Sequence, residues 1–164
     1  MSKGYTLNEY AEIINSYLKS ALPQCDFGED VVHEAMNYSL SIGGKRIRPV
    51  LTLEFCRVCG GSIEDALSLA AALEMVHTYS LIHDDLPCMD NDDMRRGMPS
   101  CHIKYGYEYA LLAGDGLLTA AFGLIADSDF AKKNPAGAIK AVSALSSLAG
   151  ANGMIGGQVI DLKN

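Results

Sequence analysis

The stretch I-E-D-A-L-S-L-A-A-A-L-E-M-V-H-T-Y-S-L-I-H-D-D, Ile63 to Asp85, contains neither glycine nor proline. At about 100° per residue, Leu67, Leu69, Leu73, Met75, Val76, Leu81 and Ile82 fall on every side of a helix. A helix that is apolar all round needs neighbours all round, so this one is expected at the centre of the fold. Ser62 stands where an N-cap belongs, and Pro87 ends the helix because it removes a backbone donor.

Working outward, helical signals recur and alternating strand signals are absent. Thr6 with Glu9 and Asp26 with Glu29 have capping-box spacing, which predicts helices over about 7–21 and 27–40 with Pro23 between them. Gly43 and Gly44 break the chain. Pro49 suits the first turn of a third helix, Arg48 to Cys59, that stops at Gly60 and Gly61. Asn91 to Ser100 reads as a polar turn. Further helices are expected over Tyr107 to Ala126 and Pro135 to Ala149, with another starting at G-G-Q-V-I-D-L. The fold class is therefore all-α, with no internal repeat and no interdomain linker.

Composition narrows the function. With 164 residues, 49% of them hydrophobic, the chain can bury a core. A net charge of −7 and the lack of a basic stripe argue against nucleic acid as a partner. The start M-S-K-G-Y-T-L-N-E-Y lacks the apolar run of a signal peptide, so a cytoplasmic location is expected. The apolar stretch Gly116 to Ala126 reads as a buried helix segment, too short for stable membrane insertion. Five cysteines form no disulfide-like pattern. Cys56 and Cys59, a lone C-x-x-C in a helical pattern, are expected to be buried thiols rather than zinc ligands.

The polar residues of the central helix carry the chemistry. His77 and Asp84 lie about 20° apart in projection, with Ser80 between them, so the three share a stripe. From His83 to Gly97 the chain then concentrates five aspartates and ends on Arg95 and Arg96. Asp84 and Asp85 also meet the negative end of the helix dipole, which disfavours each by about 0.3–1 kcal/mol. Hard divalent ions such as Mg²⁺ relieve such repulsion, commonly bridging one or two carboxylates to phosphates. Asp84 and Asp90 would be about 120° out of line in an unbroken helix, and distortion at Pro87 can bring them together. An EF-hand fails, because Met94 and Cys101 occupy positions that need oxygen ligands.

The segment S-I-G-G-K-R-I-R-P supplies the opposite charge. Its glycines permit close approach to an anion, and Lys45, Arg46 and Arg48 precede or open a helix. Arg95 and Arg96, being adjacent, point in different directions and can serve different anions. Acids that hold a metal on one diphosphate and cations that bind a second imply a site for two diphosphate substrates.

Four motifs, G-G-K-R-I-R-P (43–49), H-T-Y-S-L-I-H-D-D-L-P-C-M-D-N-D-D-M-R-R-G (77–97), L-L-A-G-D (111–115) and G-G-Q-V-I-D-L (156–162), resemble the trans-polyprenyl diphosphate synthases, most closely the bacterial farnesyl diphosphate synthases. The resemblance implies an isoprenoid-synthase helical bundle, of which residues 1–164 would be the N-terminal portion of a single domain. It implies condensation of isopentenyl diphosphate with dimethylallyl or geranyl diphosphate, with Mg²⁺ as cofactor. Asp84 and Asp90 would hold the metal, with Asp85 and Arg95 completing the catalytic set. Lys45, Arg48, His77 and Arg96 would bind isopentenyl diphosphate, and Arg95 and Gln158 the allylic diphosphate, with Asp161 on the same later helix.

Tyr79 and Ser80, five and four positions before the first aspartate, would set product length, and the bulk of Tyr79 favours C15 over C20. The family is expected to be homodimeric and to carry a second aspartate-rich motif, which nothing in these 164 residues matches. Little turnover is expected of this stretch alone, together with exposed apolar surface and either self-association or a partner. The competing readings are a geranylgeranyl diphosphate synthase, a non-catalytic or regulatory diphosphate-binding subunit or fragment, and a terpene cyclase on the same scaffold. The G-G-K-R-I-R-P segment and the D-D-x-x-x-x-D spacing argue against the last.

Overall fold

A computed structural model describes residues 4–22 and 31–163. The helices are α1 (Leu7–Leu18), α2 (Val31–Ser41), α3 (Ile47–Val58) and α4 (Ile63–Asp84), then α5 (Cys101–Tyr105), α6 (Tyr107–Ala126), α7 (Asp129–Lys133), α8 (Pro135–Ala149) and α9 (Met154–Asp161). Between α4 and α5 lies a short antiparallel hairpin of β1 (Met94–Arg95) and β2 (Met98–Pro99). The all-α expectation holds apart from this hairpin.

α4 is the axis of the molecule. It packs most extensively on α6, then on α3, and touches α1, α2, α7 and α8. Ala70, Ala71, Ala72 and Met75 of α4 are fully buried, as are Ala110, Ala113 and Leu117 of α6. These small side chains let the two helix backbones approach closely. Truncating a larger one, such as Met75 or Leu117, costs about 2–5 kcal/mol in such packing.

Caps set the helix starts. The Thr6 hydroxyl accepts from the Glu9 N–H while the Glu9 carboxylate accepts from the Thr6 N–H. Ser62 accepts from the Asp65 N–H at the start of α4. Asp26, Glu29 and Pro23 lie outside the described residues.

Several expectations need correction. α1 closes at Leu18, short of residue 21, and α3 runs one residue earlier than expected at both ends. The hairpin lies in the stretch read as a polar turn, and α5 and α7 lie where no element was expected; strands of two residues and helices of five leave no usable periodicity. Cys59 is exposed and Cys56 half-buried, so the C-x-x-C is not a buried pair. By length and composition the helical stretch Tyr107–Lys133 reaches membrane-spanning size, contrary to the shorter reading. It carries Glu108 and Asp115, and its Ala110, Ala113, Leu117, Ala121 and Ile125 are buried in the core.

Apolar side chains remain exposed on α3 (Leu51, Phe55, Val58), on α8 (Ile139, Leu148), and on α9 and its C-cap (Ile160, Leu162), the surface expected from the sequence.

Candidate functional site

α4 ends at Asp84, with Asp85 as its C-cap, and the chain then curls back on itself. The Met89 and Asn91 N–H groups donate to the Leu86 carbonyl, the Asp90 N–H to that of Asp84 (2.9 Å), and the Asp92 N–H to that of Asp85 (3.2 Å). Pro87 cannot donate inside this turn, and Asn91 adopts the left-handed conformation that reverses the chain. The unwinding inferred from Pro87 is thus present and brings Asp90 beside Asp84. Its electrostatic signature is the Asp90 carboxyl, whose pKa is raised first by the Asp84 charge and then by burial, Asp92 and Asp161.

The two neighbouring aspartates differ sharply. Asp84 accepts from the Gln158 side-chain amide at 2.5 Å, so α9 leans on the aspartate rather than leaving Gln158 free. Asp85, only 2% exposed, is gripped through both carboxylate oxygens by Arg95, with Nε to Oδ2 at 3.1 Å. Arg95 also lies 3.6 Å from Asp92. Its hydrogen bonds to Asp85 hold the Arg95 guanidinium more firmly protonated than usual. The sequence placed Arg95 on a diphosphate; in this geometry its charge is already engaged by protein carboxylates.

Arg96 turns the other way. It has a positive φ of 54°, as does Arg46 at 49°, whereas Gly43 and Gly44 meet the same demand without a Cβ. The Arg96 guanidinium lies against Gly44 so closely that a Cβ there would overlap it. Here a cavity of about 720 Å³ collects Gly44, Lys45, Arg48, His77, Arg96 and Glu74. The four cationic or imidazole groups singled out in the sequence therefore converge. Arg48 Nη1 lies 3.5 Å from His77 Nε2. Since a guanidinium only donates, that nitrogen must be the acceptor of a neutral ring. Burial, then the Arg48 charge, lower the His77 pKa in agreement.

Arg46 is the member of the basic segment that does not face the cavity as a free cation. It is 4% exposed and donates from Nε to Asn15 (2.9 Å), from Nη1 to Glu74 (2.6 Å) and from Nη2 to the Leu40 carbonyl (2.5 Å). The sequence reading missed this anchor. The available signal was Glu74, an acid within an otherwise apolar helix.

A second cavity, about 370 Å³, lies between α4, α6 and α9 and is lined by Tyr79, Ser80, Asp84, Leu118, Met154 and Gln158 among others. Tyr79 is buried and meets His83 edge-on at 5.7 Å between ring centroids. The stripe read from the sequence is therefore divided. His77 faces the basic cavity, while Ser80 and Asp84 face the mostly apolar one.

Among the described residues no three His, Cys, Asp or Glu side chains form a metal-binding group. A divalent ion here would rest on Asp84 and Asp90, and their mutual repulsion fits that role.

Residues 29–164 match the polyprenyl synthetase family model. The chain belongs to the polyprenyl synthetase family. A chloroplastic geranylgeranyl pyrophosphate synthase from Capsicum annuum is 53% identical over 133 residues, covering 81% of this chain and 36% of the relative. A farnesyl diphosphate synthase from Geobacillus stearothermophilus is 45% identical over 157 residues, covering 96% and 52%. The crystal structure of an FPP/GFPP synthase from Zymomonas mobilis superposes with a TM-score of 0.90 at 38% identity, covering 96% of this chain and 56% of that one. The chain thus spans about half, or less, of the length of these family members.

Proposed function

We propose that this chain supplies the substrate-binding half of a prenyltransferase that condenses isopentenyl diphosphate with an allylic diphosphate to give a short-chain prenyl diphosphate. The observation that carries this reading is the division of α4. One stretch of helix sends His77 into a basic cavity and, two turns on, Asp84 into an apolar cavity with an acidic pair beside it. In this reading the 164 residues are the N-terminal portion of one domain. The family members named above include both farnesyl and geranylgeranyl synthases.

Lys45, Arg48 and Arg96 neutralise the diphosphate of isopentenyl diphosphate, and neutral His77 offers its remaining ring N–H. Asp84 and Asp90 would hold Mg²⁺, which when bound would supply Lewis-acid stabilisation of negative charge on the allylic diphosphate. Asp85, its carboxylate engaged by Arg95, would hold that guanidinium in place for the allylic diphosphate. The prenyl tail enters the mostly apolar 370 Å³ cavity. The allylic C1–O bond breaks, the isopentenyl double bond attacks C1, and the proton lost from the new chain passes to the departing diphosphate.

Tyr79 lines that cavity, and in this reading its bulk favours a C15 product. The described cysteines are free thiols, in keeping with a reducing cytoplasm. By its family the enzyme is taken to be a homodimer.

The test uses labelled isopentenyl diphosphate and geranyl diphosphate with Mg²⁺, for this chain alone and mixed with the C-terminal half of a farnesyl synthase. The expected result is little condensation alone and C15 product on mixing. Absence of both Mg²⁺-dependent geranyl diphosphate binding and condensation in the mixture would refute the reading. With Tyr79→Ala the complemented product should lengthen toward C20, seen by chromatography of the dephosphorylated alcohols.

A further inference from the structure

The L-L-A-G-D motif on α6, Leu111 to Asp115, puts Asp115 on the wall of the 370 Å³ cavity, which His83 also lines, and it meets the last turn of α4 closely. His83 Nε2 lies 3.0 Å from the Leu111 carbonyl oxygen, which can only accept, so that ring nitrogen carries the proton. A Cβ on Gly114 would overlap the same imidazole. Asp115 Oδ1 stands 3.8 Å from Nε2, beyond hydrogen-bond distance, and Tyr79 covers the other side of the ring edge-on. The imidazole is thus held by a carbonyl, a missing side chain and an aromatic ring. It sits one residue before Asp84, whose carbonyl receives the Asp90 N–H.

We infer that Leu111 to Asp115 form a socket for His83, and that His83 is a positioning residue that fixes the α4 terminus so that Asp84 and Asp90 stay convergent. Its importance for catalysis rests on the prenyltransferase reading above; the socket itself does not. Gly114 is required by the ring it admits rather than by backbone conformation. The hydrogen bond to Leu111 ties α4 to α6 at the point where the α4 ladder ends and its carbonyls would otherwise fray.

The experiment follows amide hydrogen exchange by NMR in wild type, His83→Ala, His83→Gln, Gly114→Ala and the His83→Ala/Gly114→Ala double variant. Exchange at the Asp90 N–H should rise at least about tenfold in His83→Ala and in Gly114→Ala, while Val76, in the buried middle of α4, keeps its protection. His83→Gln retains a donor at comparable reach and should recover most of the protection. The double variant should be no worse than His83→Ala, because the new methyl enters an emptied socket. Unchanged Asp90 exchange in both single variants, an equal rise at Val76, or His83→Gln behaving like His83→Ala would overturn the proposal. A parallel Mg²⁺-dependent titration with geranyl diphosphate separates the two ideas. If wild type shows no such binding, the functional reading fails while Asp90 exchange still decides the socket.

Discussion

Asp84→Ala should abolish Mg²⁺-dependent binding of geranyl diphosphate, weakening it by at least about 100-fold, since removing even a group behind a metal ligand costs 10–100-fold. Isothermal titration with and without Mg²⁺ measures it. Binding of isopentenyl diphosphate should change little, because Asp84 does not line the basic cavity. Unchanged geranyl diphosphate affinity would remove Asp84 from the metal site.

The same substitution has an opposite effect on the ligand-free fold. The Asp90 carboxyl is raised chiefly by Asp84, so the folded state disfavours its ionised form. That penalty is absent at acid pH, where Asp90 is protonated, and sets in as pH rises from the ordinary aspartate range through the raised one. Removing Asp84 relieves it at neutral pH. A divalent ion would relieve it without mutation.

The second large effect is structural. Glu74→Ala leaves the Arg46 guanidinium buried without its carboxylate and should cost about 3–5 kcal/mol, read from urea unfolding. Because Arg46 also secures the chain between Gly43 and Arg48, the loss should reach the basic cavity and weaken isopentenyl diphosphate binding in whatever fraction remains folded. Arg46→Met combined with Glu74→Leu should recover much of the stability, since a buried ion pair replaced by apolar groups of similar volume is often neutral. A stability loss below about 1 kcal/mol for Glu74→Ala would mean that water reaches the pair.

What the sequence disclosed was the chemistry that repeats or conflicts. Continuous apolarity from Ile63 onward located the central helix, and like charges at a helix terminus followed by proline located the convergence of Asp84 with Asp90. Lys45, Arg48 and Arg96 were legible as complementary charge, and His77 as a polar residue on a stripe with Asp84. Direction was not legible where the backbone leaves its common conformations. Arg46 and Arg48 are similar in composition and spacing, yet a positive φ turns Arg46 into the core against Glu74. Arg95 looks as free as Arg96 until the hairpin folds it onto Asp85. The fit of His83 into Gly114, and of Arg96 onto Gly44, depends on long-range packing that no local pattern records.

The residues Arg46, Asn91 and Arg96 share a left-handed backbone, which costs a side-chain-bearing residue about 1–3 kcal/mol each. Backbone ease alone would favour glycine at all three. Instead two of them are arginines, one anchoring the loop and one facing the basic cavity. Thermostability and ligand affinity are therefore opposed at position 96: a library screened by melting temperature alone would drift toward glycine there, relieving backbone strain while erasing a cation from the cavity.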